Sequence, residues 1–203
     1  MPLLSVEYIS EDVCLALWKL SETAEDLFIS YPFLSSQVDI KDCMSKSSQR
    51  NAERLAERLL IKDLFDESVT LLHEESGRPL LSNGCNISIS HTKGFVAVIT
   101  SKTHTVSIDT EYMSDRVNRI ADRFLRSDEY AEDVFTRLLH WCSKETLYKF
   151  YSSDKLEFKD MRLLSIHGTN DGGRVVAENL KRGESLDVYY RILDNILLTY
   201  SFA

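Results

Sequence analysis

Apolar and polar positions alternate along this chain in a way that separates short strand-like runs from a few helical stretches. Residues 45–66 carry the strongest helical pattern: Leu55, Leu59, Leu60 and Leu64 fall on one side and charges elsewhere, which predicts an amphipathic helix. Apolar or alternating runs at 86–89 and 95–100 flank Lys93-Gly94 and predict a hairpin. The outline then repeats. A strand is predicted over 106–111, helices over 115–126 and 128–151, and β-like runs at 162–167, 174–178, 186–193 and 195–202, with turns at Asp171-Gly172-Gly173 and Asp194-Asn195. Helices followed by a hairpin occur twice without a low-complexity linker. The expected fold is therefore α+β, with two similar halves, 1–105 and 106–203, each a small antiparallel sheet packed on helices. Neither residues 1–44 nor the stretch after 151 carries a diagnostic motif.

Two of these elements carry candidate chemistry. On the strand Val106-Ser107-Ile108-Asp109-Thr110-Glu111, side chains at i and i+2 share a face, so Asp109 and Glu111 point the same way and can grip one cation. On the helix that follows, Trp141, Glu145 and Lys149 recur every four residues along one stripe, so Glu145 can supply a third oxygen. Three carboxylates with Lys144 and Lys149 suit a magnesium-bound phosphate ester, because Mg2+ prefers carboxylate oxygens and shares its shell with substrate phosphates. Taken singly, the acid pair reads equally as a solvated strand face, and Glu145 with Lys149 as a surface ion pair. Lys144 lies about 100° from Glu145 around the helix and cannot share its stripe. It either approaches phosphate or braces the helix, and Trp141 reads as a packing anchor.

The order of segments is more specific than any one of them. Upstream come Arg50 in Gln49-Arg50-Asn51-Ala52-Glu53, then Gly77-Arg78-Pro79, then Ser88-Ile89-Ser90-His91; between the two acidic segments lies Arg123-Phe124-Leu125-Arg126-Ser127-Asp128-Glu129-Tyr130. Over residues 45–151 this order closely resembles the 4'-phosphopantetheinyl transferase superfamily in its longer, surfactin-type branch. The pattern there is an arginine-bearing helix, a Gly-Lys-Pro turn, Asn-x-Ser-His, Gly-x-Asp-x-Glu, Arg-Phe-Phe-x-x-x-Glu and Trp-x-x-Lys-Glu-Ala-x-x-Lys. The resemblance implies a holo-[acyl-carrier-protein] synthase that moves 4'-phosphopantetheine from coenzyme A to a serine of an apo acyl or peptidyl carrier protein. Adenosine 3',5'-bisphosphate is the other product.

It further implies pseudo-twofold halves with coenzyme A in the cleft between them, and hence a monomer, since one chain supplies both sides. Asp109, Glu111 and Glu145 would hold Mg2+. Glu145 would take the serine proton, through a water in preference to directly, and Lys149 would stabilise the pyrophosphate. Coenzyme A would be bound by Arg50 and His91 with Ser90 at the 3'-phosphate and pyrophosphate region, by Arg78 near the adenine and phosphates, and by Lys144 and Lys149. Guanidinium forks and a doubly donating imidazole suit phosphate. Glu129 is open between a group behind the metal ligands and a helix-surface acid. Ser107 replaces the family's glycine and Arg78 its lysine, but no catalytic group is missing.

Composition narrows the reading. With 203 residues, 43% of them apolar, the chain can bury a substantial core. A formal charge of −8 argues against nucleic-acid binding. No apolar stretch approaches the roughly 18 residues of a membrane span, and the amino terminus lacks a secretory pattern, so a cytoplasmic protein is expected. The four cysteines, Cys14, Cys43, Cys85 and Cys142, are widely spaced and read as reduced thiols. The negative charge is awkward for an acidic carrier partner. Arg116, Arg119, Arg123 and Arg126, on one face of the predicted helix 115–126, either steer that partner or form a solvated face. Two other functions fit the same motifs: a coenzyme A- or carrier-binding homologue without turnover, and a Mg2+-dependent nucleotide-ester hydrolase.

Overall fold

The computed structural model describes residues 3–37 and 48–203. The chain divides into two compact units between His104 and Thr105, one residue before the expected boundary. Thr105 belongs to the second unit because it exchanges both backbone hydrogen bonds with Ala203, at 2.9 and 3.1 Å.

The first unit contains β1 (Leu3–Tyr8), β2 (Val13–Lys19), α1 (Ala24–Ser30), α2 (Leu34–Gln37), α3 (Ser48–Leu64), β3 (Leu71–His73), β4 (Pro79–Leu81), β5 (Asn86–Thr92) and β6 (Phe95–Ser101). Its four-stranded sheet runs β1-β2-β6-β5, antiparallel throughout. Leu55, Leu59 and Leu60 of α3 join Ala16, Trp18, Val96 and Val98 of the sheet in one core, as the leucine stripe predicts. Residues 45–47 of the predicted helix and Cys43 lie outside the described residues. The sequence reading assigned no element before residue 45, yet β1, β2 and α1 are there. Thr23 and Asp26 form a reciprocal capping box at the start of α1, a signal present in the sequence.

The second unit contains β7 (Val106–Tyr112), a 3-10 turn (Asp115–Arg119), α4 (Ala121–Phe124), α5 (Val134–Phe150), two further 3-10 turns (Ser152–Asp154 and Phe158–Asp160), then β8 (Met161–Gly168), β9 (Gly172–Asn179), β10 (Glu184–Leu193) and β11 (Ile196–Phe202). The strands form one antiparallel sheet in the order β7-β11-β10-β9-β8. The β10–β11 turn is made by Asp194 and Asn195, both left-handed with φ 45° and 68°, the conformation that a two-residue hairpin loop of this kind requires. Leu138, Leu139, Cys142 and Leu147 of α5 pack on Val175, Ala177, Val188 and Leu197.

Two helix predictions need correction. The stretch 115–126 is not one helix but a 3-10 turn, a break at Ile120 and a single α-helical turn. Helix 128–151 begins only at Val134, where Asp133 caps it by accepting from the Thr136 amide at 2.7 Å. Each unit nevertheless contains a strand, a 17-residue helix and a hairpin whose return strand pairs with the first strand: β2, α3, β5–β6 in one and β7, α5, β10–β11 in the other. The outer strands differ, β1 in the first unit and β8–β9 in the second. Among the described residues, no helix is long and apolar enough to cross a membrane.

Candidate active site

The register of β7 against β11 decides which way its acids point. Asp109 pairs with Thr199 and Glu111 with Leu197. Leu197 belongs to the core beneath α5, so side-chain alternation turns both acids toward that helix and not to solvent. Thr199 donates its hydroxyl proton to the Cys142 carbonyl at 3.1 Å and accepts from the Thr146 hydroxyl at 2.7 Å, which locks α5 over this edge of the sheet. Asp109 is only 6% exposed.

Three residues of the α5 stripe then meet the two acids. Lys149 Nζ donates to Asp109 Oδ1 and to the Ile108 carbonyl, each at 2.9 Å. The pair it makes is therefore with the strand acid, not the i,i+4 surface pair with Glu145. Trp141 Nε1 donates to Glu111 Oε1 at 3.2 Å. Glu145 is pushed up to about 7, first by burial, then by the negative charge of Asp109, with Lys149 opposing and Glu111 adding a further rise. Cys142 reports the same field: burial, then the charges of Asp109 and Glu111, raise its thiol well above the usual range. A cavity of about 310 Å³ opens beside Glu145, walled by Tyr148, Leu156, Glu157, Phe158 and Met161.

Lys144 lies apart from this cluster. It is fully buried, and its ammonium donates to Glu129 Oε2 at 2.6 Å, the Phe124 carbonyl at 2.8 Å and the Phe158 carbonyl at 3.4 Å. Its three N–H groups are thus engaged inside the protein, so the assignment of Lys144 to coenzyme A is corrected in favour of the bracing role. Glu129 is neither a helix-surface acid nor part of the carboxylate cluster. It also accepts from the amides of Leu163 at 2.8 Å and Arg126 at 2.9 Å, and His140 Nδ1 lies 3.5 Å away. Burial alone would raise this carboxyl, but the nearby His140 together with the hydrogen bonds from Lys144 and the two amides outweighs it and holds Glu129 at about 2. The sequence carried no periodic signal for this arrangement, since its members come from a loop, a helix and a strand edge.

In the first unit, Arg50 and His91 are brought together. Arg50 Nη1 is 2.6 Å from His91 Nε2, and since a guanidinium only donates, that ring nitrogen accepts. Two acids that the sequence reading passed over frame the pair: Arg50 to Glu53 is 3.6 Å, His91 to Glu53 3.9 Å and His91 to Glu57 3.7 Å. Their spacing from Arg50, one and two helical turns along α3, was the available signal. Burial raises Glu57 to about 7 against the opposing charges of Arg58, Arg50 and Arg54. Ser90 is buried and, as the neighbour of His91 on a strand, points to the opposite face. Arg78 is exposed on the β3–β4 turn, where Gly77 adopts φ 86°.

The predicted arginine stripe is not a single face, because a 3-10 turn advances 120° per residue where an α-helix advances 100°. Arg116, Arg119 and Arg123 are exposed, whereas Arg126 donates to Asp128 at 2.8 Å and to the Lys159 carbonyl. Cys14, Cys85 and Cys142 are free thiols.

Asp109, Glu111 and Glu145 offer the oxygen ligands that a hard divalent cation takes, and Glu145 is raised to about 7 first by burial and then by the charges of Asp109 and Glu111. Among the described residues, no three His, Cys, Asp or Glu side chains already stand in a metal-holding arrangement; Lys149 supplies the positive charge at Asp109. No protein-family model matches the sequence, and no curated protein matches it.

Proposed function

We propose that this chain transfers 4'-phosphopantetheine from coenzyme A to a serine hydroxyl of an apo acyl or peptidyl carrier protein, with Mg2+ as cofactor. The observation that carries this reading is the convergence of Asp109, Glu111, Glu145 and Lys149 where α5 crosses β7. Asp109, Glu111 and Glu145 would hold the cation. When bound, Mg2+ would neutralise the carboxylates and polarise the pyrophosphate.

In the transfer, the serine oxygen forms a bond to the phosphorus that carries pantetheine. The bond from that phosphorus to the bridging oxygen breaks, and adenosine 3',5'-bisphosphate leaves with the bridging oxygen. Glu145, whose carboxyl is raised to about 7 by burial and by the charges of Asp109 and Glu111, would become a weaker base with a cation on it, so it takes the serine proton through one water in preference to directly. The cavity beside Glu145 gives a substrate access to it. Lys149 presents a point charge that the transferring phosphoryl group can share with Asp109. Arg50 and His91, already in contact, supply donors for the phosphates of coenzyme A, with the exposed Arg78 as a further contributor, whereas Ser90, buried on the opposite face of β5, does not join them. The repeated strand–helix–hairpin supports reading the units as pseudo-symmetric halves, and a cytoplasmic, monomeric enzyme is part of the same proposal.

The second reading, a coenzyme A- or carrier-binding homologue without turnover, draws on Lys149 lying on Asp109, where it competes with a cation. One experiment separates the two. The protein is incubated with coenzyme A, Mg2+ and apo carrier proteins, and the carriers are weighed by mass spectrometry. A phosphopantetheine adduct that disappears with Asp109→Ala, Glu111→Ala or Glu145→Ala supports transfer. Calorimetric binding of coenzyme A with no adduct on any carrier supports the second reading. Release of adenosine 3',5'-bisphosphate without a carrier would instead indicate hydrolysis.

A further inference from the structure

We infer that Trp141 is a positioning residue of the carboxylate site, its indole N–H holding Glu111 in the orientation that receives the cation. The inference rests on the metal-dependent reading above. A glutamate has three rotatable bonds, and ordering them on metal binding costs free energy that a preformed contact removes in advance. Trp141 makes that contact, with Nε1 3.2 Å from Glu111 Oε1.

The ring that carries the N–H is held on two sides. Phe124 meets it edge-on with centroids 5.4 Å apart, and Phe158 lies at 5.0 Å. Both phenylalanines are tied down in turn, because their carbonyls accept from the buried Lys144 ammonium at 2.8 and 3.4 Å. Glu129 completes the brace, joining that ammonium to the backbone of Arg126 and Leu163. Neighbouring residues of α5 thus do linked jobs: Lys144 secures the walls around Trp141, and Trp141 aims Glu111 at the cluster that Glu145 shares. An indole N–H in an aromatic cluster needs some acceptor. That the acceptor is a carboxylate of the cation site gives the tryptophan a consequence beyond packing.

The test measures Mn2+ binding by calorimetry, without coenzyme A or carrier, for the parent and for Trp141→Phe, which keeps a ring and removes the N–H. Loss of a group that orients a ligand typically weakens metal affinity roughly 10- to 100-fold. A drop of that size is expected, with the KM for coenzyme A unchanged and the transfer rate largely recovered at saturating metal. Phe158→Leu, which keeps the N–H and removes one wall, should weaken Mn2+ binding by a smaller factor and guards against failure of the first variant to fold. Parent-like Mn2+ affinity in whichever of these variants folds overturns the inference and leaves the proposed function standing. A parent that takes up no Mn2+ overturns both.

Discussion

Replacing Lys144 by methionine should destabilise the protein by about 3–5 kcal/mol at neutral pH, because it removes one partner of a buried ion pair and strands the other. Lys144 is 0% exposed and the Glu129 side chain 1%, with 2.6 Å between the charges. The size of the effect follows from Glu129. Its carboxyl sits at about 2 against an ordinary 4.5, a difference that Lys144 shares with His140 and the amides of Leu163 and Arg126, while burial lowers the pKa of the Lys144 ammonium itself. At about 1.4 kcal/mol per unit, about 3 kcal/mol is thus an upper bound on the part of the shift owed to Lys144, and the rest of the loss is the cost of leaving Glu129 uncompensated in the interior. The sign with pH follows directly. A depressed folded pKa contributes stability that is present above 4.5 and lost as pH falls toward 2. Without the ammonium, burial is opposed by fewer hydrogen bonds and the folded pKa rises, so the variant is penalised most at neutral pH and least in acid. Urea unfolding followed by near-ultraviolet circular dichroism at pH 7 and pH 4 measures the gap, which should be widest at pH 7. The double variant Lys144→Met/Glu129→Gln should recover much of the loss, since no uncompensated charge remains in the interior. A single variant within about 0.5 kcal/mol of the parent at pH 7, or a gap that does not change with pH, would refute the reasoning.

Two further outcomes are expected. Glu57 has a folded pKa of about 7 against 4.5, so the parent loses stability as pH rises from about 4.5 through 7; Glu57→Gln should therefore gain on the parent across that window, by at most about 3 kcal/mol, in thermal melts from pH 5 to pH 8. Lys149→Ala removes the ammonium from Asp109, so it should bind Mn2+ more tightly than the parent while its transfer rate falls about 100-fold or more; weaker metal binding or parent-like turnover would contradict the role given to Lys149.

Local periodicity made much of the architecture legible. Period two fixed Asp109 and Glu111 to one side of β7, and the four-residue recurrence on α5 fixed Trp141, Glu145 and Lys149 to one stripe, because side-chain direction follows from backbone geometry alone. The hairpin at Lys93-Gly94 and the turn at Asp194-Asn195 were equally readable, since few residues accept left-handed backbone. The strand β2 was passed over although its unbroken apolar run, residues 13–18, is a signal of the same kind as that of β6; without alternation, such a run does not by itself separate a buried strand from a buried helix. The break at Ile120 escaped for the opposite reason, as residues 115–126 keep a helical pattern that the chain abandons around the buried Phe124.

Tertiary structure alone decided what the acids and lysines face. A sequence gives the spacing of charges on one element but not the register between β7 and β11, and that register is what turns Asp109 and Glu111 under α5. Likewise, spacing alone left Lys144 open between approaching phosphate and bracing the helix, because an ammonium is buried only where other groups replace its hydration. Lys144 finds those groups in Phe124, Glu129 and Phe158, from segments distant in sequence, and only the folded chain brings a carboxylate and two carbonyls to one nitrogen.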